Sequence, residues 1–295
     1  MAESLGDVRA GERESNRPRR GPMEDSRADG ILRHIEAMMT VALPPIPQLE
    51  CSPEEAARTV AREIAELVRA RRAAGRGVVL GLATGRTPLG IYAELGRLHR
   101  EERLDFSNVT AFNLDEYLGL RPGHPRSYRR YMREQLFDAI GMRPEQCHIP
   151  SSDVAPSQWE AHCREYERLI ADAGGIDLQI LGLGRNGHIG FNEPGSARDS
   201  RTRVVALAPT TRADAAGEFG GVEHVPERAI SMGVATILSA RRIRLLAFGL
   251  GKQEIVARTL THAPGPEIPA TFLRGHPDVR LYADAAALGA AGSAP

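Results

Sequence analysis

From Ser52 onward the chain alternates between helical apolar spacing and short continuous apolar runs. Val60, Ile64, Leu67 and Val68 share one helical face, and Ser52-Pro53-Glu54-Glu55 is a capping box with proline at the first helical position. The pattern predicts a helix from Pro53 to about Ala74, stopped at Gly75. Val78–Leu82 reads as a strand. Thr87 then predicts an N-cap and Pro88 the first residue of a helix carrying Leu89, Tyr92, Leu95 and Leu98. Val109–Asn113 reads as a second strand. A helix from about Ser127 presents Tyr128, Tyr131, Met132, Leu136 and Ile140, and another from Pro156 to about Ala173 presents Trp159, Tyr166, Leu169 and Ile170. Further strands are expected over Asp177–Leu183, Thr202–Leu207, Ile243–Phe248 and Val279–Ala283. Helical pattern is expected at Pro226–Ala229, Gly233–Ser239 and Lys252–Leu260. Strands alternating with helices predict an α/β fold: a doubly wound, mostly parallel sheet with helices on both faces.

The ends of the chain break this pattern. Residues 1 to about 30 mix Arg, Glu, Asp, Gly and Ser with few apolar letters, the composition of a disordered tail. A few apolar letters follow (Ile31, Leu32, Ile35, Met38, Met39), which allow a short helix, and then Pro44, Pro45 and Pro47 give an extended approach to the fold. The expected organisation is a polar tail over 1–40, one α/β domain over 41–285 and a frayed tail over 286–295. Neither a linker nor an internal repeat is legible inside the domain.

Composition narrows the function classes. Lys+Arg and Asp+Glu both total 38, so net charge gives no argument for nucleic acid or a membrane surface as partner. No apolar run approaches the ~18 residues that a spanning helix needs. The three cysteines, Cys51, Cys147 and Cys163, are scattered, which fits a reducing cytoplasm and no disulfide framework.

The densest chemistry lies after the Asp177 strand, in Leu181-Gly182-Leu183-Gly184-Arg185-Asn186-Gly187-His188-Ile189-Gly190-Phe191-Asn192-Glu193-Pro194-Gly195. Gly182, Gly184 and Gly187 match the dinucleotide fingerprint. That motif must open a helix and be followed about 20 residues on by an acid. Pro194 and Gly195 interrupt the helix, and Ala206 and Leu207 stand near the acid's position, so a nicotinamide cofactor is not expected. His188 near Asn186 and Glu193 points instead to an imidazole oriented by a carboxylate. The pair lacks a zinc spacing, and no metal is expected. Asp115 and Glu116 follow the Val109 strand. They read either as solvated or capping acids or as a carboxylate base beside a carbonyl. Thr84-Gly85-Arg86-Thr87, between a strand and a helix, reads either as an ordinary capped turn or as an anion site suited to a phosphate monoester. Lys252, after Gly249-Leu250-Gly251, stands where a counter-charge to that phosphate belongs. Ser200-Arg201-Thr202-Arg203 and Thr210-Thr211-Arg212 supply weaker cationic candidates. Loops at the carboxyl ends of such a sheet gather on one edge, so these segments are expected to converge.

Taken together, Gly81–Pro88, Phe112–Tyr117 with Leu118-Gly119-Leu120, His124-Pro125 with Ser127-Tyr128, Gly184–Pro194 and Ser200–Arg203 resemble the glucosamine-6-phosphate deaminase (isomerase) family over about residues 50–285. The resemblance implies a Rossmann-like α/β fold and a cofactor-free conversion of glucosamine 6-phosphate and water to fructose 6-phosphate and ammonia. It implies Asp115 as the base between C2 and C1, His188 as the ring-opening group and Glu193 as the acid that tunes it. Asn186 stands where members carry Asp or Asn. Thr84, Gly85, Arg86, Thr87 and Lys252 fall at the phosphate site, and self-association is compatible with the family. Two positions depart from it. Gly217, beside Glu218, stands where many members have a phosphate-binding arginine, and Arg86 stands where the loop often has a small residue. Arg86 is therefore a candidate replacement cation. The rival readings are a 6-phosphogluconolactonase-like hydrolase, a catalytically silent sugar-phosphate binder and a sugar-phosphate-sensing regulator. The last would need a helix-turn-helix, for which the first 50 residues are too polar and too broken by proline.

Overall fold

A computed structural model of the chain describes residues 44–121 and 123–289. The tail expected before residue 41, with its short helix, and most of the expected C-terminal tail lie outside the described residues. In chain order the elements are β1 (Gln48–Glu50), α1 (Pro53–Ala73), β2 (Val78–Leu82), α2 (Leu89–Glu102), β3 (Val109–Asn113), β4 (Asp115–Tyr117) and α3 (Tyr128–Met132). Then come β5 (Cys147–His148), α4 (Trp159–Asp172), β6 (Leu178–Gly182), β7 (Arg203–Ala206), α5 (Pro209–Phe219), β8 (Arg228–Ser231), α6 (Val234–Leu238), β9 (Ile243–Ala247), α7 (Gln253–Thr261), β10 (Val279–Ala283) and α8 (Ala285–Leu288).

Seven strands form a parallel sheet in the order β1-β10-β9-β6-β2-β3-β5. β2 and β9 are buried at all five positions, as strands covered on both faces must be. This is the expected Rossmann-like α/β architecture. From β2 the chain moves outward to β3 and β5, and β6 then returns to the other side of β2 and leads to β9 and β10. The direction of winding therefore reverses between β2 and β6, and their carboxyl ends flank a crevice where ligands bind in folds of this kind.

The capping box forms: the Glu55 amide donates to Ser52 Oγ (3.2 Å) and the Ser52 amide to Glu55 Oε2 (2.8 Å). Val60, Ile64 and Val68 are buried in the main core, and Leu67 is half-buried against it. The second expected cap does not form. Pro88 is the N-cap of α2 and Thr87 makes no capping bond. The helix expected from Ser127 opens as expected, capped by the Ser127 hydroxyl, but becomes a π-helical turn over Arg133–Phe137.

Two larger departures concern a second sheet. Pro226–Ala229 is not helical: Arg228–Ser231 is β8, the middle strand of an antiparallel sheet ordered β4-β8-β7. Asp115 and Glu116 follow β3, as expected, and themselves form a short strand, β4. The β4–β8 partners, such as Asp115 and Ser231, lie more than a hundred residues apart in sequence, so no local periodicity announces that ladder. α5 was not expected, because its stretch is polar and alanine-rich with only Thr211 buried. Its punctuation was present, with Pro209 at the first turn and Gly220 in the left-handed region at the end. Among the described residues no helix is long and apolar enough to cross a membrane.

Candidate active site

The second sheet sets Asp115 over the crevice. β3 ends at Asn113, and Leu114 links it to β4, bonded on one side to β2 (Leu114 amide to Leu82 carbonyl, 2.9 Å) and on the other to the end of β8 (Met232 amide to Leu114 carbonyl, 2.7 Å). Along β4 side chains alternate, so adjacent acids face different partners. Glu116 accepts the amides of Tyr117, Tyr128 and Arg129 at 2.9, 2.9 and 3.0 Å. The last two open α3, so Glu116 is a capping acid. The Asp115 carboxylate is buried and accepts no side-chain or backbone hydrogen bond among the described residues. Burial, and then the neighbouring Glu116 charge, push its pKa up to about 8.

The loop after β6 folds back on itself. The Gly184 amide donates to the His188 carbonyl and the Gly187 amide to the Gly184 carbonyl, both at 3.0 Å. The His188 ring lies flat on Gly184, where an added Cβ would sit 2.4 Å from ring atoms; only glycine fits beneath it. The Nδ1 of His188 is 3.5 Å from Glu193 Oε2 and 3.5 Å from Thr211 Oγ1. Asn186 ties the turn, its Nδ2 donating to Glu193 Oε2 (2.8 Å) and its Oδ1 accepting the His188 amide (3.2 Å). The Ala208 amide donates to the other Glu193 oxygen (3.2 Å). Burial alone would raise the Glu193 pKa, but hydrogen bonds from His188 and Thr211 outweigh it and hold the pKa at about 2. With Nδ1 facing Glu193, Nε2 of His188 carries no protein partner among the described residues.

Behind the loop, Asn192 is fully buried and donates to the carbonyls of Ile189 and Met232, both at 2.8 Å. Arg203 on β7 donates to Asn192 Oδ1 (2.8 Å) and Ser196 Oγ (3.0 Å). Arg203 therefore braces the loop instead of reaching the crevice.

The third strand end brings Lys252, the only lysine in the 295 residues. Its Nζ donates to the Leu183 carbonyl (2.6 Å), and burial lowers its pKa. Thr87 stands against Gly182, about 4 Å from where a Cβ would lie there. The Tyr131 hydroxyl pins the Gly85 carbonyl at 2.6 Å. Thr87 and Lys252 thus border the start of the loop that carries Asn186, His188 and Glu193, Thr84, Gly85 and Arg86 precede Thr87 after β2, and the His188 loop meets Asp115 at Gly190. The expected convergence occurs at the β2–β6 crevice.

The weaker cationic candidates do not join it. Arg201 pairs with Glu167 at 3.6 Å, and Arg212 donates to the carbonyls of Val222 and Val225. His124 stacks on Phe219 and His148 on Phe112. Among the described residues no three His, Cys, Asp or Glu side chains cluster as a metal would require. Sequence reading missed Thr211 at His188, and Tyr128, whose ring packs against those of Tyr117 and Phe191. It also missed Arg185, which holds Asp214 on α5 through a two-pronged ion pair.

Residues 51–281 match the family model described as glucosamine-6-phosphate isomerases/6-phosphogluconolactonase. The chain is 50% identical over 210 residues to a glucosamine-6-phosphate deaminase of Geobacillus sp. (strain WCH70), covering 71% of this chain and 83% of that protein. It is 48% identical over 235 residues to glucosamine-6-phosphate deaminase 2 of Giardia intestinalis, covering 79% and 87%. A solved monomeric glucosamine-6-phosphate deaminase superposes with a TM-score of 0.78 at 42% identity, over 83% of this chain and 99% of that one. The chain therefore belongs to the glucosamine-6-phosphate isomerase/6-phosphogluconolactonase family.

Proposed function

We infer that the chain converts glucosamine 6-phosphate and water to fructose 6-phosphate and ammonia. The observation that carries this reading is the meeting of a buried, hydrogen-bond-free Asp115 carboxyl with the oriented His188–Glu193 pair at Gly190, on the loop whose start Lys252 holds.

In this mechanism the Nε2 of His188 moves a proton between the C1 hydroxyl and the ring oxygen, opening the pyranose. Glu193 positions the imidazole through Nδ1. Asp115 takes the proton from C2 and returns it to C1, as aldose–ketose isomerisation requires of a single carboxylate. C1 is reduced and C2 oxidised, and no external oxidant or reductant enters. Water adds to the resulting C2 imine, and the 2-amino-2-hydroxy carbon expels ammonia. The base must act as a carboxylate, although burial favours its neutral form. The C2 ammonium of the bound substrate supplies the positive charge that favours ionisation. Lys252 and the Thr84–Thr87 loop hold the 6-phosphate.

Every residue assigned a role belongs to one chain, so the reading requires no second copy. It places the protein in the cytoplasm, in keeping with its free cysteines at 51, 147 and 163.

The test is release of ammonia and fructose 6-phosphate by purified protein, comparing wild type with Asp115→Asn and His188→Gln. Both variants should lose most of kcat. Full activity in Asp115→Asn would end the proposed mechanism, and turnover of a different phosphosugar alone would move the substrate assignment.

A further inference from the structure

Arg185 is the one cation of the His188 loop, two residues beyond the carbonyl that Lys252 holds. Its guanidinium is engaged by Asp214 of α5, with Nε 3.0 Å from Oδ2 and Nη2 on Oδ1. Both partners are substantially exposed, 60% and 41%. An ion pair this exposed is weak, so it is held loosely enough to be exchanged. Asp214, Arg185 and Arg86 also act on Lys252: beyond the effect of burial, Asp214 favours the ammonium and the two guanidiniums disfavour it. Three cations and one carboxylate therefore lie close enough to act on one another at this strand end. Gly217, one turn further along α5, has no atom within 4 Å of its would-be Cβ and contributes no charge.

α5 is the helix this carboxylate rides on. Its first turn also touches the site loop, through Thr210 (3.5 Å from Asn186 Nδ2) and Thr211 (3.5 Å from His188 Nδ1). A phosphate dianion seated on Lys252 carries more charge than a carboxylate and offers three acceptor oxygens to the same planar fork.

We propose that Asp214 is an internal stand-in for the substrate phosphate, and that Arg185 exchanges Asp214 for the phosphate when substrate binds, making Arg185 a specificity-determining residue for the phosphorylated sugar. The proposal rests on the phosphosugar reading of the site. Asp214 competes with the ligand, so it sets how tightly a phosphate must bind to be accepted. Neutral or singly charged sugars cannot displace it.

A pair that only fastens α5 predicts the same sign for loss of either partner. The exchange predicts opposite signs, and the chain's single lysine supplies a readout independent of turnover. Lys252 is acylated with acetic anhydride under rising inorganic phosphate, and its labelling is followed by peptide mass spectrometry in wild type, Arg185→Gln, Asp214→Asn and the double variant. Arg185→Gln should weaken protection by phosphate roughly tenfold, the scale of one lost charge-assisted contact. Asp214→Asn should strengthen it several-fold, and the double variant should behave as Arg185→Gln. KM for glucosamine 6-phosphate should follow the same order. Equal weakening by both single substitutions, or protection unchanged in Arg185→Gln, overturns the exchange. If wild type fails to turn over glucosamine 6-phosphate, the functional reading falls, and the phosphate titration still decides the role of Arg185.

Discussion

Gly190 brings the backbone of the His188 loop against the carboxylate of Asp115. A Cβ at this position would lie 3.4 Å from Asp115 Oδ2 and 3.2 Å from Ser231 Oγ, and the residue has φ +57°. The same serine accepts the Phe191 amide at 3.0 Å and is the ladder partner of Asp115. One small residue thus sets the spacing between the base and the ring-opening loop. Gly190→Ala should cost about 1 kcal/mol through the left-handed backbone alone, and a further few tenths of an ångström must be found by Asp115 or Ser231. The expected result is a modest fall in Tm with a larger fall in kcat than any rise in KM. Thermal denaturation and steady-state kinetics on the same preparation check it, and an unaltered kcat would show that the spacing is not critical.

Asp115 should make the fold less stable as pH rises. Its carboxyl titrates at the ordinary value of 3.8 when unfolded and near 8 when folded. Across that window the folded state holds the proton and the unfolded state does not. Stability present below about pH 4 is therefore lost progressively up to about pH 8. Asp115→Asn imitates the neutral acid at every pH. The variant should have a higher Tm than wild type, by a margin that widens between those limits and then levels off. A constant margin in thermal melts across the range would mean that the carboxyl is ionised throughout. In wild type, kcat/KM should climb with pH towards the same value, since the free enzyme's base must lose its proton.

Five strands of the parallel sheet were legible because each carries its own period, whereas the short edge strands Gln48–Glu50 and Cys147–His148 were not. Val78–Leu82 is a continuous apolar run, Ile243–Ala247 is one broken only by Arg244, and the capping box at Ser52 marks its helix without outside help. The crevice was legible for a related reason. Glycines and polar letters after Leu82 and Gly182 are out of place in a core, and the doubly wound topology puts both strand ends on one edge. The second sheet was mostly hidden. Arg203–Ala206 falls within the expected Thr202–Leu207 strand, but Asp115–Tyr117 and Arg228–Ser231 are three and four residues long and acquire their structure from pairing with one another and with it. The roles of neighbours were hidden too: nothing in Asp115-Glu116 says which acid caps a helix and which faces the crevice until the pleat of β4 separates them.

Arg86 tests whether a cation on the loop after β2 makes up for glycine at position 217. Arg86 is exposed and, with Arg185, acts against the charge on Lys252, which places its own charge near the ammonium. A phosphate held by Lys252 should feel it. Arg86→Ala should raise KM for the phosphosugar several-fold and leave kcat within about twofold, the pattern of lost uniform binding. Placing an arginine at 217 in the same background should recover part of the loss, since no atom within 4 Å opposes the start of a side chain there. Steady-state kinetics would refute the compensation if KM stayed unchanged in Arg86→Ala.

Glu116 should be felt twice, once in stability and once in the pH profile of its neighbour. Its carboxylate accepts three amides, two of them at the opening of α3, and charge-assisted bonds of this kind contribute about 1.5–3 kcal/mol each when buried. Burial raises its own pKa, while the amides of Tyr128, Arg129 and Tyr117 oppose that rise. Its charge is also the second cause, after burial, of the raised pKa of Asp115. Glu116→Gln keeps one acceptor oxygen and removes the charge. The variant should melt at a lower temperature, and the acid limb of kcat/KM should move to lower pH, because Asp115 then ionises beside a neutral neighbour. The two effects separate the structural role from the electrostatic one. A lowered Tm with an unmoved limb would mean that burial alone sets the protonation of Asp115, and an unmoved Tm would mean that Glu116 does not anchor α3.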